Sequence, residues 1–122
     1  MQNRRVHFTT VTTDKELQQI IELQKRNLPP ALTPEAMASQ GFVTVRHDLA
    51  VLQRMNSAYP SVLAKDGEQL AGYCLMMPRE FVADLPILAP MMEKLVTLSW
   101  QGQGLRDNPR WFIMGQVSVA AA

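Results

Sequence analysis

A chain of 122 residues has room for one domain and a hydrophobic core of useful size. Hydrophobic residues make up 47% and charged residues 19%, ordinary for a globular protein, and a net charge of +1 excludes a basic footprint for nucleic acid or an acidic tail. A single cysteine, Cys74, and two distant histidines, His7 and His47, exclude an internal disulfide framework and a cysteine- or histidine-spaced metal site.

Arg4-Arg5 is too small a basic cluster for a patch and reads as a solvated N-terminus. From Val6 to Thr12, residues Val6, Phe8 and Thr10 alternate with His7, Thr9 and Val11, which predicts a strand. Thr13-Asp14-Lys15-Glu16 fits a capping box. Behind it Leu17, Ile20, Ile21 and Leu28 form an apolar helical stripe with Leu23 at its flank, interrupted at the i+7 place by Gln24. Pro29-Pro30 ends this helix, since a second proline forbids the α conformation at the first.

Thr33-Pro34-Glu35 opens a second helix, with Thr33 as N-cap and Pro34 at N1, and Gly41 stops it. Phe42 to Arg46 suits a short extended segment. Leu49, Leu52 and Met55 make a further stripe ending before Tyr59-Pro60, and His47 and Asp48 compete for its N-cap. The segment 61–77 predicts an antiparallel hairpin turning at Asp66-Gly67 in a type I′ turn, with Lys65 and Glu68 paired across it. Gly72 marks a bulge or a close backbone approach. Pro86 and Pro90, with Leu88, Met91, Met92 and Leu95, predict a proline-initiated helix over 87–98 in which both methionines fill core gaps. Gly102-Gln103-Gly104 and Asp107-Asn108-Pro109 then form a long turn fed by no strand.

The segment 111–120 is apolar or small throughout. It predicts a strand covered on both faces, interior to its sheet, with neighbours along both edges. The whole order is strand, helix, helix, hairpin, helix, long turn, strand: an α+β layout in one domain, with helices available for both sheet faces.

This order resembles the first half of the GNAT superfamily of N-acetyltransferases. The likeness rests on Val6-His7-Phe8-Thr9 with the capped helix after it, on the hairpin Val62 to Tyr73, and on Phe112-Ile113-Met114-Gly115-Gln116-Val117-Ser118-Val119, which is similar to the family's fourth strand. In that family a Gln/Arg-x-x-Gly-x-Gly/Ala loop follows this strand and holds the coenzyme A pyrophosphate on backbone N–H groups at a helix N-terminus. Here Val119 is followed by Ala120-Ala121-Ala122, and Gln101-Gly102-Gln103-Gly104 lies before the strand, in the wrong place for that loop. The resemblance therefore implies a GNAT-like mixed sheet with flanking helices, truncated after the fourth core strand and inactive by itself.

It implies acetyl-CoA as cofactor and a primary amine of unknown identity as acceptor. Backbone groups of Val117, Ser118 and Val119 would hold the acetyl and pantetheine arm. Tyr73 either lines the acceptor pocket or is a cross-strand aromatic; Gln116 either orients a water or is a structural amide. No catalytic residue and no metal ligand is assigned: the family's strand glutamate is absent, and Cys74 has no histidine near it in sequence. Glu80, Asp84 and Asp107 lie in loops as solvated carboxylates or neighbours of an arriving amine.

The rival expectation is a non-catalytic interaction module that completes its sheet at the terminal strand with another chain, giving a homo-oligomer such as a dimer. A weaker third is a ligand-binding domain without chemistry. With no run of about 18 apolar residues and no signal peptide, the expected setting is cytoplasmic, away from membranes.

Overall fold

The chain enters β1 (Val6–Thr10) and turns at Thr13 into α1 (Asp14–Asn27), in a computed structural model that describes residues 5–108 and 110–121. Arg4 of the N-terminal basic pair, Pro109 of the expected long turn and Ala122 lie outside the described residues. The capping box forms: Thr13 Oγ1 accepts the Glu16 N–H at 3.2 Å, and Glu16 Oε1 accepts the Thr13 N–H at 3.2 Å and the Thr12 N–H at 2.9 Å. Glu16 also takes Lys65 Nζ at 3.1 Å, with both side chains largely buried. The Thr12 N–H, more than Lys65, holds the Glu16 carboxyl down to about 2, against the opposing effect of burial. Lys65 therefore pairs with Glu16 and not, as expected, with Glu68 across the hairpin turn.

Leu17, Ile20 and Leu23 are buried on the inner face of α1, and Gln24 is buried with them. Leu28 takes the extended conformation that a following proline demands, and Pro29–Ala31 adds a 3-10 turn. The helix α2 (Pro34–Gln40) starts on the Thr33 cap and ends at Gly41, whose φ of +78° favours glycine. Asp48 caps α3 (Leu49–Ala58), its carboxylate accepting the Val51 N–H at 2.8 Å, which leaves His47 for another role.

β2 (Val62–Asp66) and β3 (Gln69–Pro78) form the expected hairpin, but its two turn residues are Gly67 and Glu68. Only Gly67 has positive φ, +62°, so the turn follows the type II′ pattern. Ala64 faces Gly72 while Lys65 faces Leu70, which places the bulge at Ala71, beside the glycine that signalled it. The type I′ pattern occurs elsewhere. β4 (Ser99–Trp100) and β5 (Gln103–Gly104) make a small hairpin with Gln101 at φ +50° and Gly102 at +79°, so a strand does feed the segment expected to be plain turn. The helix expected over 87–98 is shorter: 3-10 segments at Arg79–Asp84 and Pro86–Leu88 lead into α4 (Ala89–Leu95). Met91 is 37% exposed and Met92 half-buried, so neither fills the core.

The last strand, β6 (Phe112–Val119), pairs antiparallel with β3, and the main sheet has the order β1-β2-β3-β6 with every pair antiparallel. This α+β sheet corrects two expectations. β6 is an edge strand rather than an interior one, because no other strand among the described residues pairs with it. It is also wet on one face: Phe112, Met114, Val117 and Val119 are more than half exposed, while Ser118 is buried. The helices do not divide between the two faces. The apolar stripes of α1 and α3 close on one side, joining Ile20, Leu23, Leu52 and Met55 to Leu63, Tyr73, Leu75 and Met77. The opposite face stays open, and α4 packs on the 3-10 segments. No helix among the described residues is long and apolar enough to cross a membrane.

Candidate functional site

Alternation along β6 decides which backbone groups are available. The Ala120 N–H donates to the Ala71 carbonyl at 2.8 Å, and a Cβ at Gly72 would lie 3.0 Å from the Ser118 carbonyl oxygen, so Ser118 and Ala120 address β3. Val117 and Val119 then address the outer edge, and the Val119 carbonyl accepts from Asn27 Nδ2 there at 3.2 Å.

A groove of about 710 Å³ runs along this outer edge. One wall is Val117 to Ala121; the other is Leu32, Ala36 and the segment 40–43. Phe42 to Arg46, expected as an extended segment, forms no strand but crosses here as a strap. It is tied down where the Val43 N–H donates to the Asn27 carbonyl at 3.0 Å and Gln116 Nε2 donates to the Val45 carbonyl at 3.0 Å. Among the described residues none of the groove-lining side chains ionises; Asn27, Gln40 and Ser118 are the polar ones. Its chemistry is that of a neutral, mostly apolar slot beside an unpaired strand edge, with the size and lining common in ligand pockets.

Behind β6 lies a closed polar network. Tyr73 Oη donates to Gln116 Oε1 at 2.5 Å, and Gln24 Nε2 donates to the same oxygen at 2.8 Å. Gln24 Nε2 also lies 3.0 Å from His47 Nδ1, and the His47 N–H donates to Gln24 Oε1 at 2.9 Å. Asn27 Nδ2 reaches Ser118 Oγ at 2.5 Å. Gln24, His47 and Tyr73 are at most 3% exposed. Burial lowers the His47 pKa against a raising effect of Asp48. Burial raises the Tyr73 pKa against the lowering effect of the neighbouring Ser118 and Gln24. Both are neutral and shut away from solvent at neutral pH. The network therefore fixes the strap and α1 to β6, and meets the groove at Asn27 and Ser118.

Of the residues singled out in the sequence, Val117, Ser118 and Val119 line the groove, although Ser118 turns its backbone toward β3. Tyr73 and Gln116 meet each other, but behind the strand. Cys74 is half-buried, and its register partner Val117 places it on the open sheet face. Asp84 pairs with Arg54 at 2.7 Å, and Glu80 and Asp107 lie at other clefts. Sequence reasoning missed Gln24, Asn27 and His47 as the groove's supports. One signal was available, a glutamine in the place of an apolar stripe that should be buried. Comparison with protein-family models, with curated proteins and with solved structures finds no match.

Proposed function

We propose that the groove beside β6 binds an acetyl thioester of the coenzyme A type, and that the chain contributes this surface to a GNAT-like N-acetyltransferase. One observation carries the reading: a strand edge with no partner strand presents the backbone groups of Val117 and the Val119 N–H to a neutral groove walled by α2 and the strap, while the Val119 carbonyl is taken by Asn27. A pantetheine arm is an uncharged chain with two amides, able to hydrogen-bond to a strand edge as another strand would. A thioester carbonyl seated at the Val117 N–H would be polarised by it, which is how acyl transfer is assisted electrostatically. The phosphates of the cofactor find no cation among the described residues of the groove. No base for the acceptor amine is available there either, so no side chain is assigned a catalytic role.

Calorimetric titration of the full chain with acetyl-pantetheine and acetyl-CoA tests this. Both bind the native chain with similar affinity, since the phosphates add little. Val117→Pro, which deletes an edge-directed N–H and leaves the ladder to β3 intact, weakens both by about tenfold. No heat of binding at about 10 mM ligand ends the proposal.

A second reading has its own observation, the uncharged run of β6 (Phe112–Val119) left unpaired at the sheet edge. There the chain is an interaction module whose β6 pairs with β6 of a second copy, continuing the sheet through a two-fold axis. Sedimentation separates the two: this reading requires a dimer that Val117→Pro dissociates, whereas a chain that binds acetyl-pantetheine and whose association Val117→Pro leaves unchanged supports only the first.

A further inference from the structure

We propose that the cleft at the Pro78–Phe112 end of the sheet is a second binding site, for a planar aromatic ring carrying an anionic group, of the nucleoside monophosphate class. The cleft has a volume of about 400 Å³ and is lined by Tyr59, Arg79, Glu80, Arg110, Trp111 and Phe112. Three aromatic rings and two guanidinium groups converge on one concavity, and neither the groove nor the polar network uses any of them.

Part of this wall is held in place before any ligand arrives. Arg79 Nη1 donates to the Leu105 carbonyl at 3.2 Å and to the Arg106 carbonyl at 3.0 Å, and its guanidinium stands 5.6 Å from the Trp111 ring centroid. Trp111 Nε1 donates to the same Leu105 carbonyl at 2.8 Å. The opposite side is wet aromatic surface, with Tyr59 57% and Phe112 54% exposed. Exposed rings in a concavity, backed by a fixed guanidinium–indole pair, form a stacking platform for a flat π-system.

Charge chooses among flat ligands. Arg110 makes no ion pair among the described residues, and neither does Glu80, so two guanidinium groups face one carboxylate and the cleft is positive on balance. A cationic ring is disfavoured, and a neutral one leaves Arg110 unused. A ring bearing phosphate uses both components, the base on the aromatic faces and the phosphate on the Arg110 fork. The volume lies within the range usual for small-ligand sites.

The test follows fluorescence in a full-length Trp100→Phe variant, which leaves Trp111 as the sole tryptophan. Adenosine monophosphate quenches Trp111 saturably below about 1 mM, and adenosine or inorganic phosphate alone binds at least about tenfold more weakly. Arg110→Ala and Tyr59→Ala each weaken the nucleotide by about tenfold with unchanged circular dichroism. Val117→Pro leaves this affinity untouched, which keeps the cleft distinct from the β6 groove. The proposal is overturned by an absence of saturation at about 10 mM, by phosphate binding as well as the nucleotide, or by an unaltered affinity in the Arg110 and Tyr59 variants.

Discussion

Two buried titratable side chains weaken the fold in acid, and their effects begin at different pH. Burial holds the His47 pKa below its ordinary 6.5, so the unfolded chain takes up a proton that the folded chain refuses as pH falls below about 6.5. Stability is then lost with falling pH until the folded pKa is passed. Glu16 comes later: its carboxyl, at about 2 in place of 4.5, gives stability that is full above about 4.5 and disappears as pH falls from there to about 2. Melting temperature should therefore begin to decline below about pH 6.5 and decline further below about 4.5. His47→Asn, whose amide oxygen can still accept from Gln24, removes the decline that begins below about 6.5; Glu16→Gln removes the part that begins below about 4.5. A melting temperature that stays flat from pH 7 down to about 4.5 in the native chain would show that His47 does not titrate on unfolding.

At the scale of elements, the junction of β3 and β6 limits everything built on the groove. A Cβ at Gly72 would meet the Ser118 carbonyl oxygen at 3.0 Å and the Val119 Cα at 3.6 Å, both backbone atoms that cannot swing away. Gly72→Val therefore pushes β6 off its neighbour, costs about 1–3 kcal/mol in denaturant melts, and abolishes thioester binding along with the edge. Retained stability in Gly72→Val would mean that β6 is not held in the described register.

Gly72 was legible in the sequence as a sign of close approach because an isolated glycine in a strand has few other uses. The capping box and the Asp48 cap region were legible for a similar reason: each is a local hydrogen bond between residues three apart. The hairpin was placed but its turn was displaced by one residue, since Asp66-Gly67 and Gly67-Glu68 both offer glycine the positive φ it needs. That one face of β6 is wet could not be read at all. Phe112, Met114, Val117 and Val119 look the same in sequence whether a helix covers them or water does. The polar network was invisible as a unit because its members are far apart in the chain, Gln24 and Gln116 by 92 residues.

The whole molecule is a two-layer arrangement with a covering on one side only. The register places Phe8, Val62, Val117 and Val119 on the face opposite α1 and α3, at 77%, 38%, 55% and 69% exposure, with Val6 and Met114 also wet on the outer strands. A contiguous apolar face of this kind is rare on a monomer in solution and favours any event that dries it. The native chain should bind a hydrophobic dye while keeping its near-ultraviolet circular dichroism and a cooperative melt, features that separate an open native face from a loosened core. It should also sediment faster as its concentration rises. Phe8→Thr with Val119→Thr reduces dye fluorescence and self-association together, and shifts the melt by no more than about 0.5 kcal/mol because both side chains are already wet. A dye-silent monomer across that concentration range would mean that the face is covered in solution and that the one-sided packing does not describe the molecule.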